Sequence, residues 1–187
     1  MGIYKDVMST LVRVLAADNI DNSTKQSWQK LIDADVQRGG NGSSLSPRDK
    51  FDYDCCLYAL LHRLLEPAEW DVLVAKYSTH KANKVAAIGR LVARMVSPAP
   101  QLFVYKALTA WAIPKMKGVQ TAKRSTDMIV LPAEFYDMNT WDPEGKPEST
   151  RRRWRTSIAK RLEQLEESAV ISATDIFDKE EIFIDAA

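Results

Sequence analysis

Six positively charged side chains are concentrated between residues 151 and 161, a stretch without aspartate or glutamate. They are Arg151, Arg152, Arg153, Arg155, Lys160 and Arg161. Guanidinium groups bind phosphate through paired N–H donors, and the start of a helix attracts anions, so this cluster favours a phosphate-bearing ligand such as a nucleic acid. Runs of like charge also occur on faces that only meet water or pair with nearby acids, here those of residues 134–148. Both interpretations are open at this point.

A second basic group surrounds the sequence Ser97-Pro98-Ala99-Pro100, in a stretch poor in acids. Besides His80, its members are Lys81, Lys84, Arg90, Arg94, Lys106, Lys115 and Lys117. Apolar residues recur at helical spacing on both sides of the prolines and predict two amphipathic helices joined by a tight corner. Such a pair is the skeleton of the DNA-binding helix-turn-helix, and it also occurs as a plain helical hairpin.

In the helix-turn-helix interpretation, the helix over residues 98–113 enters the major groove. Its outward-facing candidates for base contact are Gln101, Tyr105, Lys106 and Thr109. A glutamine amide can pair with adenine, while a lysine ammonium contacts guanine or phosphate. The corner lacks the glycine common in compact versions of the motif, and Gly89 lies within the preceding helix instead.

Patterns typical of enzymes and metal sites are scarce. The two histidines, His62 and His80, lie on different predicted elements, and the chain has no CxxC, HExxH, GxGxxG or P-loop pattern. The only cysteines, Cys55 and Cys56, are interpreted as reduced thiols buried on an apolar helix face, with a nucleophilic role as the less favoured alternative. We therefore expect no enzyme activity, no metal and no cofactor.

The elements that position these residues are predicted to be helices. Thr79 and Ser97 are candidate N-caps for the helices on either side of the corner, and Ser149 or Thr150 for a final helix that extends to about Phe183. The fold is predicted to be mainly α, a multi-helix body with a helix-turn-helix-like pair, a short extended segment near 128–131 and a long C-terminal helix. The predicted segments are a helical pair at 1–45, a helical core at 46–118, an irregular segment at 119–148 and the C-terminal helix at 149–187.

The predicted C-terminal helix is electrically divided, with cations in its first turns and acids from Glu163 to Asp185. Both groups oppose the helix dipole, which favours the opposite arrangement. The same helix carries an apolar stripe of Trp154, Ile158, Leu162, Leu165 and Ala169. That stripe supports an alternative function, a protein-interaction module or homo-oligomer that pairs through this helix without DNA.

The length, composition and net charge are those of an ordinary globular chain. Its 187 residues carry a formal net charge of +1, so any preference for polyanions must come from how the charge is distributed. The first residues include Lys5, Asp6 and Arg13 and lack the apolar core of a signal peptide. We predict a cytoplasmic protein that does not enter the membrane.

Several short stretches resemble small regulators of lambdoid phages. They are Leu60 to Leu65, Trp70 to Tyr77, Ala87-Ile88 and Lys106-Ala107, with Ser149 to Arg161 also similar to phage or prophage sequence. The resemblance is to the Q-type late-gene antitermination proteins, whose DNA-binding part is similar to sigma-factor region 4. It implies a cytoplasmic factor in a bacterial host that binds double-stranded DNA near a promoter, loads onto RNA polymerase and alters its response to terminators. It also implies that the acidic half of the last helix is a protein-contact face.

Overall fold

The computed structural model describes residues 6–17, 47–115 and 129–182. Within these ranges every regular element is helical. The α-helices are α1 (Val7–Ala17), α2 (Pro47–Leu64), α3 (Pro67–Tyr77), α4 (Lys81–Arg94), α5 (Gln101–Ala112) and α6 (Glu148–Lys179), with 3-10 turns at Ala133–Tyr136 and Met138–Thr140. The prediction of a mainly α fold with a long C-terminal helix is confirmed.

Some predicted elements fall partly or wholly outside these ranges. Of the predicted helical pair at 1–45, the structure describes residues 6–17, and the remainder lies outside the described residues. Of the predicted extended segment, residues 129–131 are described, and they are irregular backbone that pairs with no strand in the described chain. The aromatic segment that follows forms the two 3-10 turns.

The chain forms two compact units. The first comprises Met1–Leu65 with Val170–Ala187, and the second comprises Glu66–Ala169. This division cuts across the predicted segments, because the predicted core 46–118 and the predicted C-terminal helix 149–187 each contribute to both units. The part of α6 that carries the cations Arg151 to Arg161, called here the basic half of α6, belongs to the second unit.

In the first unit, α1 packs against α2. Leu11 and Leu15 of α1 and Leu61 of α2 are fully buried, as the helical spacing of these residues predicts. The Arg13 Nε donates a 2.8 Å hydrogen bond to the buried Asp54 carboxylate on α2.

The interpretation of the cysteines as buried thiols is wrong. Cys55 and Cys56 are both exposed on α2 and form no disulfide. The buried side of this helix carries Asp54, Leu57 and Leu61 instead. A helix buries only one face, and the face of α2 that packs against α1 does not include the cysteines.

The second unit is built around α3, whose residues from Glu69 to Ala75 are all buried. Apolar side chains on nearly every side of a helix mark it as a core element, and Pro67 at its first position sets where it begins. The helices α4 and α5 pack against each other and against α3. The helical hairpin predicted around the proline corner is therefore anchored on a buried third helix.

Three predicted helix starts shift by a few residues. The N-cap of α4 is His80, whose Nδ1 accepts a 3.2 Å hydrogen bond from the Asn83 N–H, so the assignment of Thr79 is wrong. The helix α5 begins at Gln101, because the Ser97 hydroxyl accepts from the Ala99 N–H within the corner and caps no helix. The helix α6 begins at Glu148, which places the predicted caps inside its first turn.

Candidate nucleic-acid interface

The basic half of α6 is held in place by aromatic packing. The Trp154 ring meets the Phe103 ring of α5 edge to face, with centroids 5.5 Å apart, and Phe103 meets Trp141 in the same manner at 5.4 Å. Ile158 and Leu162 continue the buried side of α6. Because this apolar stripe faces its own chain, the opposite side of the helix is presented to solvent along its first four turns.

That solvent-facing side is entirely polar. The exposed residues between 152 and 164 are Arg152, Arg153, Arg155, Thr156, Ser157, Lys160, Arg161, Glu163 and Gln164. Five of these nine side chains are cations and one is an acid. The cations that the sequence predicts for this helix are therefore exposed to solvent, around about two-thirds of its circumference.

The arginines of this cluster have different surroundings. Arg152 pairs with Glu148 one turn earlier at 2.6 Å, and the Arg155 guanidinium lies 5.7 Å from the centre of the Trp141 ring. Arg153 is exposed, whereas the Nε of Arg151 is buried and lacks a hydrogen-bond partner within the described structure. The alternative explanation of the cluster is neutralisation by acids of residues 134–148. It applies to Arg152, which Glu148 neutralises.

Two predicted DNA contacts on α4, Arg90 and Arg94, are engaged inside the protein. Both guanidinium groups bind the Asp71 carboxylate of α3, Arg90 at 2.7 Å and Arg94 at 2.5 Å. Asp71 is buried, and its hydrogen bond raises the pKa of Arg90 above the ordinary value. The two arginines neutralise a core carboxylate, so they are poorly suited to hold phosphate.

Lys84 is also committed internally. Its side chain is buried, and its Nζ donates a 2.9 Å hydrogen bond to the Lys76 backbone carbonyl at the C-terminal end of α3. Carbonyls in the last turn of a helix lack partners within the helix and carry partial negative charge, which a lysine amine satisfies. Burial lowers the pKa of Lys84 to about 8. The prediction that Lys84 contacts DNA conflicts with this position.

The helix α5 exposes little of the face proposed to read bases. Thr109 is only 5% exposed, and its hydroxyl donates a 2.8 Å hydrogen bond to the Tyr105 carbonyl, so its predicted outward orientation is wrong. The Lys106 Nζ donates a 3.0 Å hydrogen bond to the Thr140 carbonyl. Gln101 and Tyr105, near the start of the helix, are exposed as predicted. Lys81 and Lys115 are exposed, and Lys117 lies outside the described residues.

The two predicted basic groups meet at two places. The Arg161 guanidinium of α6 donates a hydrogen bond to the Val96 carbonyl at the proline corner. Lys106 of α5 and Arg155 of α6 both lie over aromatic rings of residues 135–141. The structure therefore gathers Lys106, Arg155 and Arg161 around α6, while Arg90 and Arg94 serve the core.

A cleft of about 940 Å³ runs along α6. Its lining includes the cations Arg152, Arg155 and Lys160, the acids Asp137, Glu148 and Glu163, and the neutral polar residues Asn139 and Thr156. Sequence analysis missed Asn139 and Thr156. The spacing of Thr156 four residues after Arg152 and four before Lys160 is the signal that places it on the basic face.

The apolar stripe proposed for self-pairing is buried within the protein itself. Ile158, Leu162 and Ala169 are at most 2% exposed, and Trp154 packs on Phe103. A stripe that is buried in its own chain offers no seam to a second helix. The sequence argument for a homo-oligomer through this stripe therefore loses its basis.

The described residues contain neither a metal-binding cluster nor a membrane-spanning helix. Across residues 6–17, 47–115 and 129–182, histidine, cysteine and acidic side chains nowhere form a group of three suited to hold a metal ion. None of the helices in these same ranges combines the length and the apolar character that crossing a bilayer requires.

No family model, no curated protein and no solved structure matches the chain. The resemblance to Q-type antitermination proteins therefore stays a prediction carried by the residues quoted for it. What the interface can do follows from its own geometry and charge.

Proposed function

We propose that this protein binds double-stranded DNA and regulates transcription, with the basic half of α6 supplying the phosphate contacts. The observation that carries this proposal is the polar face of α6, where five cations are exposed between residues 152 and 161. The aromatic contact between Trp154 and Phe103 fixes that face on the second unit. Cations held on a packed helix keep a fixed spacing, which suits a phosphate backbone better than cations on loops would.

The placement of the cations supports an external anion. The exposed cations begin at Arg152, directly after the first turn of α6, and residues 149–162 of this helix include no acid. A bound phosphate would offset the mutual repulsion of these like charges by pairing with the arginines. DNA presents phosphates in a regular row, so one helix can meet several of them.

The more specific proposal is a phage-type antitermination factor that acts with RNA polymerase in the cytoplasm of a bacterial host. It is supported by the resemblance of Leu60 to Leu65 and Trp70 to Tyr77 to the Q-type proteins. The exposed acids Asp175 and Asp178 on the second half of α6, with Glu180 directly after it, would then face a protein partner, because a surface of that charge repels DNA.

The first experiment measures retention of duplex DNA at increasing salt. Affinity is expected to fall steeply between about 50 and 200 mM salt, since each phosphate contact contributes a slope of about −0.9 in a double-logarithmic plot. Changing Arg152, Arg153 and Arg155 together to alanine should weaken binding and lower that slope by about 2–3.

A matched control removes three cations from the first unit. Arg48, Lys50 and Arg63 lie on α2, and their change to alanine alters the net charge by the same amount. This variant should keep most of the affinity of the unmodified chain. Equal losses in the two variants, or no retention of DNA at low salt, would exclude phosphate contact by α6.

A protein-interaction role is the second candidate, and one observation favours it. Val96 is 78% exposed at the corner, and Leu102 and Tyr105 of α5 are 44% and 43% exposed. Leu102 and Tyr105 lie three residues apart on the same helix and are surface neighbours, and an exposed apolar patch is typical of protein contacts. If Leu102→Ser with Tyr105→Ser abolishes binding to purified RNA polymerase while DNA retention stays unchanged, this surface is the protein contact.

A further inference from the structure

The helix that reads the base edges can be identified from solvent exposure. A helix in the major groove must present polar side chains over two to three turns, on a side free of other protein. Both α5 and the basic half of α6 are candidates in the second unit. The two helices differ in how much of their length stays uncovered.

The helix α5 meets this requirement only at its start. Gln101 and Tyr105 are exposed, but Lys106 is tied to the Thr140 carbonyl and Thr109 is buried. Near the end of the helix, the Tyr136 hydroxyl donates a 2.7 Å hydrogen bond to the Ile113 carbonyl. Residues 135–141 thus cover the side of α5 that would have to enter a groove.

The basic half of α6 meets the requirement along its length. Arg153, Ser157, Lys160 and Gln164 follow one another at spacings of three or four residues, and all are exposed. They cover 11 residue steps, which corresponds to roughly 16 Å of helix, or three turns. No apolar side chain is exposed between residues 152 and 164 of this described helix. The face offers hydroxyl and amide groups, which both donate and accept hydrogen bonds, between cations.

Acids limit this face at its C-terminal end. Glu163 and Glu167 are exposed, and Glu166 binds the Tyr77 hydroxyl and the Lys76 ammonium of α3. Carboxylates repel phosphate, so the contact with DNA must lie before Glu166 and Glu167, within about the first five turns of α6. The hydroxyls of Thr156 and Ser157 occupy the middle of that length.

We infer that the first half of α6, rather than α5, is the helix that enters the major groove, with Thr156, Ser157 and Gln164 as the residues that discriminate bases. The inference rests on the proposed DNA-binding function and names the part of the interface that determines sequence. Arg152, Arg153 and Lys160 hold the phosphates on either side. Gln101 and Tyr105 of α5 then lie outside the groove.

The test is selection of bound sequences from a random duplex library with the full chain, followed by sequencing. The unmodified protein should enrich a motif. Changing Thr156, Ser157 and Gln164 together to alanine should reduce that enrichment by about tenfold or more, because each lost base contact removes discrimination of that order. The salt dependence of DNA retention should stay unchanged, since the cations remain.

The matched control changes Gln101 and Tyr105 to alanine, and it should keep both the motif and the affinity. Circular dichroism establishes that each variant keeps its helical content. A photo-crosslinking residue at position 157 gives an independent readout and should attach to DNA with much higher yield than the same residue at position 105.

The possible results distinguish an error in the assignment of α6 from an error in the proposed DNA-binding function. If the α5 variant loses the motif and the α6 variant keeps it, the inference is wrong while DNA binding stands. If the unmodified chain retains DNA without enriching any motif, base reading by α6 is likewise overturned and phosphate binding remains. Failure to retain any duplex at low salt would overturn the proposed function, and the inference with it.

Discussion

The Arg161 guanidinium binds the backbone carbonyl of Val96, a residue 65 positions earlier in the chain. This hydrogen bond ties the basic half of α6 to the connection between α4 and α5. Arg161 therefore has a structural task that its neighbours Arg153 and Lys160 do not share. Its charge remains on the same face, because a carbonyl accepts a hydrogen bond without neutralising the donor.

Replacing Arg161 should cost stability, whereas replacing Arg153 should not. Arg161→Ala removes a charged hydrogen bond on the surface, and we expect a loss of about 1 kcal/mol in the free energy of unfolding. Arg153→Ala is the matched control and should change this free energy by at most about 0.5 kcal/mol. Urea denaturation measures both. Equal stabilities of the two variants would show that the contact with Val96 contributes nothing.

The pairing of Asp71 with Arg90 and Arg94 predicts strongly non-additive effects. Either arginine alone can still neutralise the buried carboxylate, so Arg90→Ala and Arg94→Ala should each cost about 1 kcal/mol. The double variant leaves Asp71 buried without either of these partners and should cost about 3–5 kcal/mol. A double-mutant cycle by urea denaturation measures the difference. Additive losses would contradict this account.

The two single variants also bear on the interface. If Arg90 and Arg94 serve the core, each alanine variant should retain duplex DNA as the unmodified chain does at equal salt. A drop in the salt slope by about one for either variant would instead place that arginine on a phosphate.

Lys84 makes stability depend on pH in the alkaline range. Burial lowers its pKa in the folded protein to about 8, compared with 10.5 for an ordinary lysine. Between these values the unfolded chain binds more protons than the folded chain, so the contribution of Lys84 to the unfolding free energy increases as pH rises. Below about pH 8 that contribution is constant, because the amine is protonated in both states.

The measurement compares the unmodified protein with Lys84→Met in urea at pH 7 and pH 10. The unmodified protein should gain about 1–3 kcal/mol relative to the variant over this range. The variant serves as the control for all other titrating groups. A constant difference between the two proteins, or one that moves in the opposite direction, would show that Lys84 titrates normally.

His80 should contribute to stability as the N-cap of α4. Its Nδ1 accepts from the Asn83 N–H, one of the donors that the first turn of a helix leaves unpaired. His80→Ala should therefore lower the unfolding free energy by about 1 kcal/mol, while His80→Asn should preserve most of it because asparagine is a good cap. Thermal or urea denaturation checks both. If the two substitutions have the same effect, the cap is not the source of the stability.

The sequence by itself determined that the described chain is helical and, on α6, which side of the helix packs. Ile158 and Leu162 lie on the predicted stripe and are buried, because a period of 3.6 residues places them on one face whatever the stripe packs against. Helix ends were harder to predict. The hydroxyl of a serine such as Ser97 can accept a hydrogen bond within a turn or cap the helix that follows. The backbone conformation of the proline corner selects the turn, in which the Ala99 N–H donates to Ser97.

The tertiary structure alone decided which charges are available to a ligand. Arg90 and Arg153 look alike in sequence, yet Arg90 pairs with a buried carboxylate 19 residues away and Arg153 faces solvent. The same applies to Lys84, which is buried and whose amine donates a hydrogen bond to the Lys76 carbonyl at the end of α3. Periodicity is a local property of the chain, but the neutralisation of a charge depends on which distant groups packing brings within about 4 Å of it, and no local pattern encodes that distance.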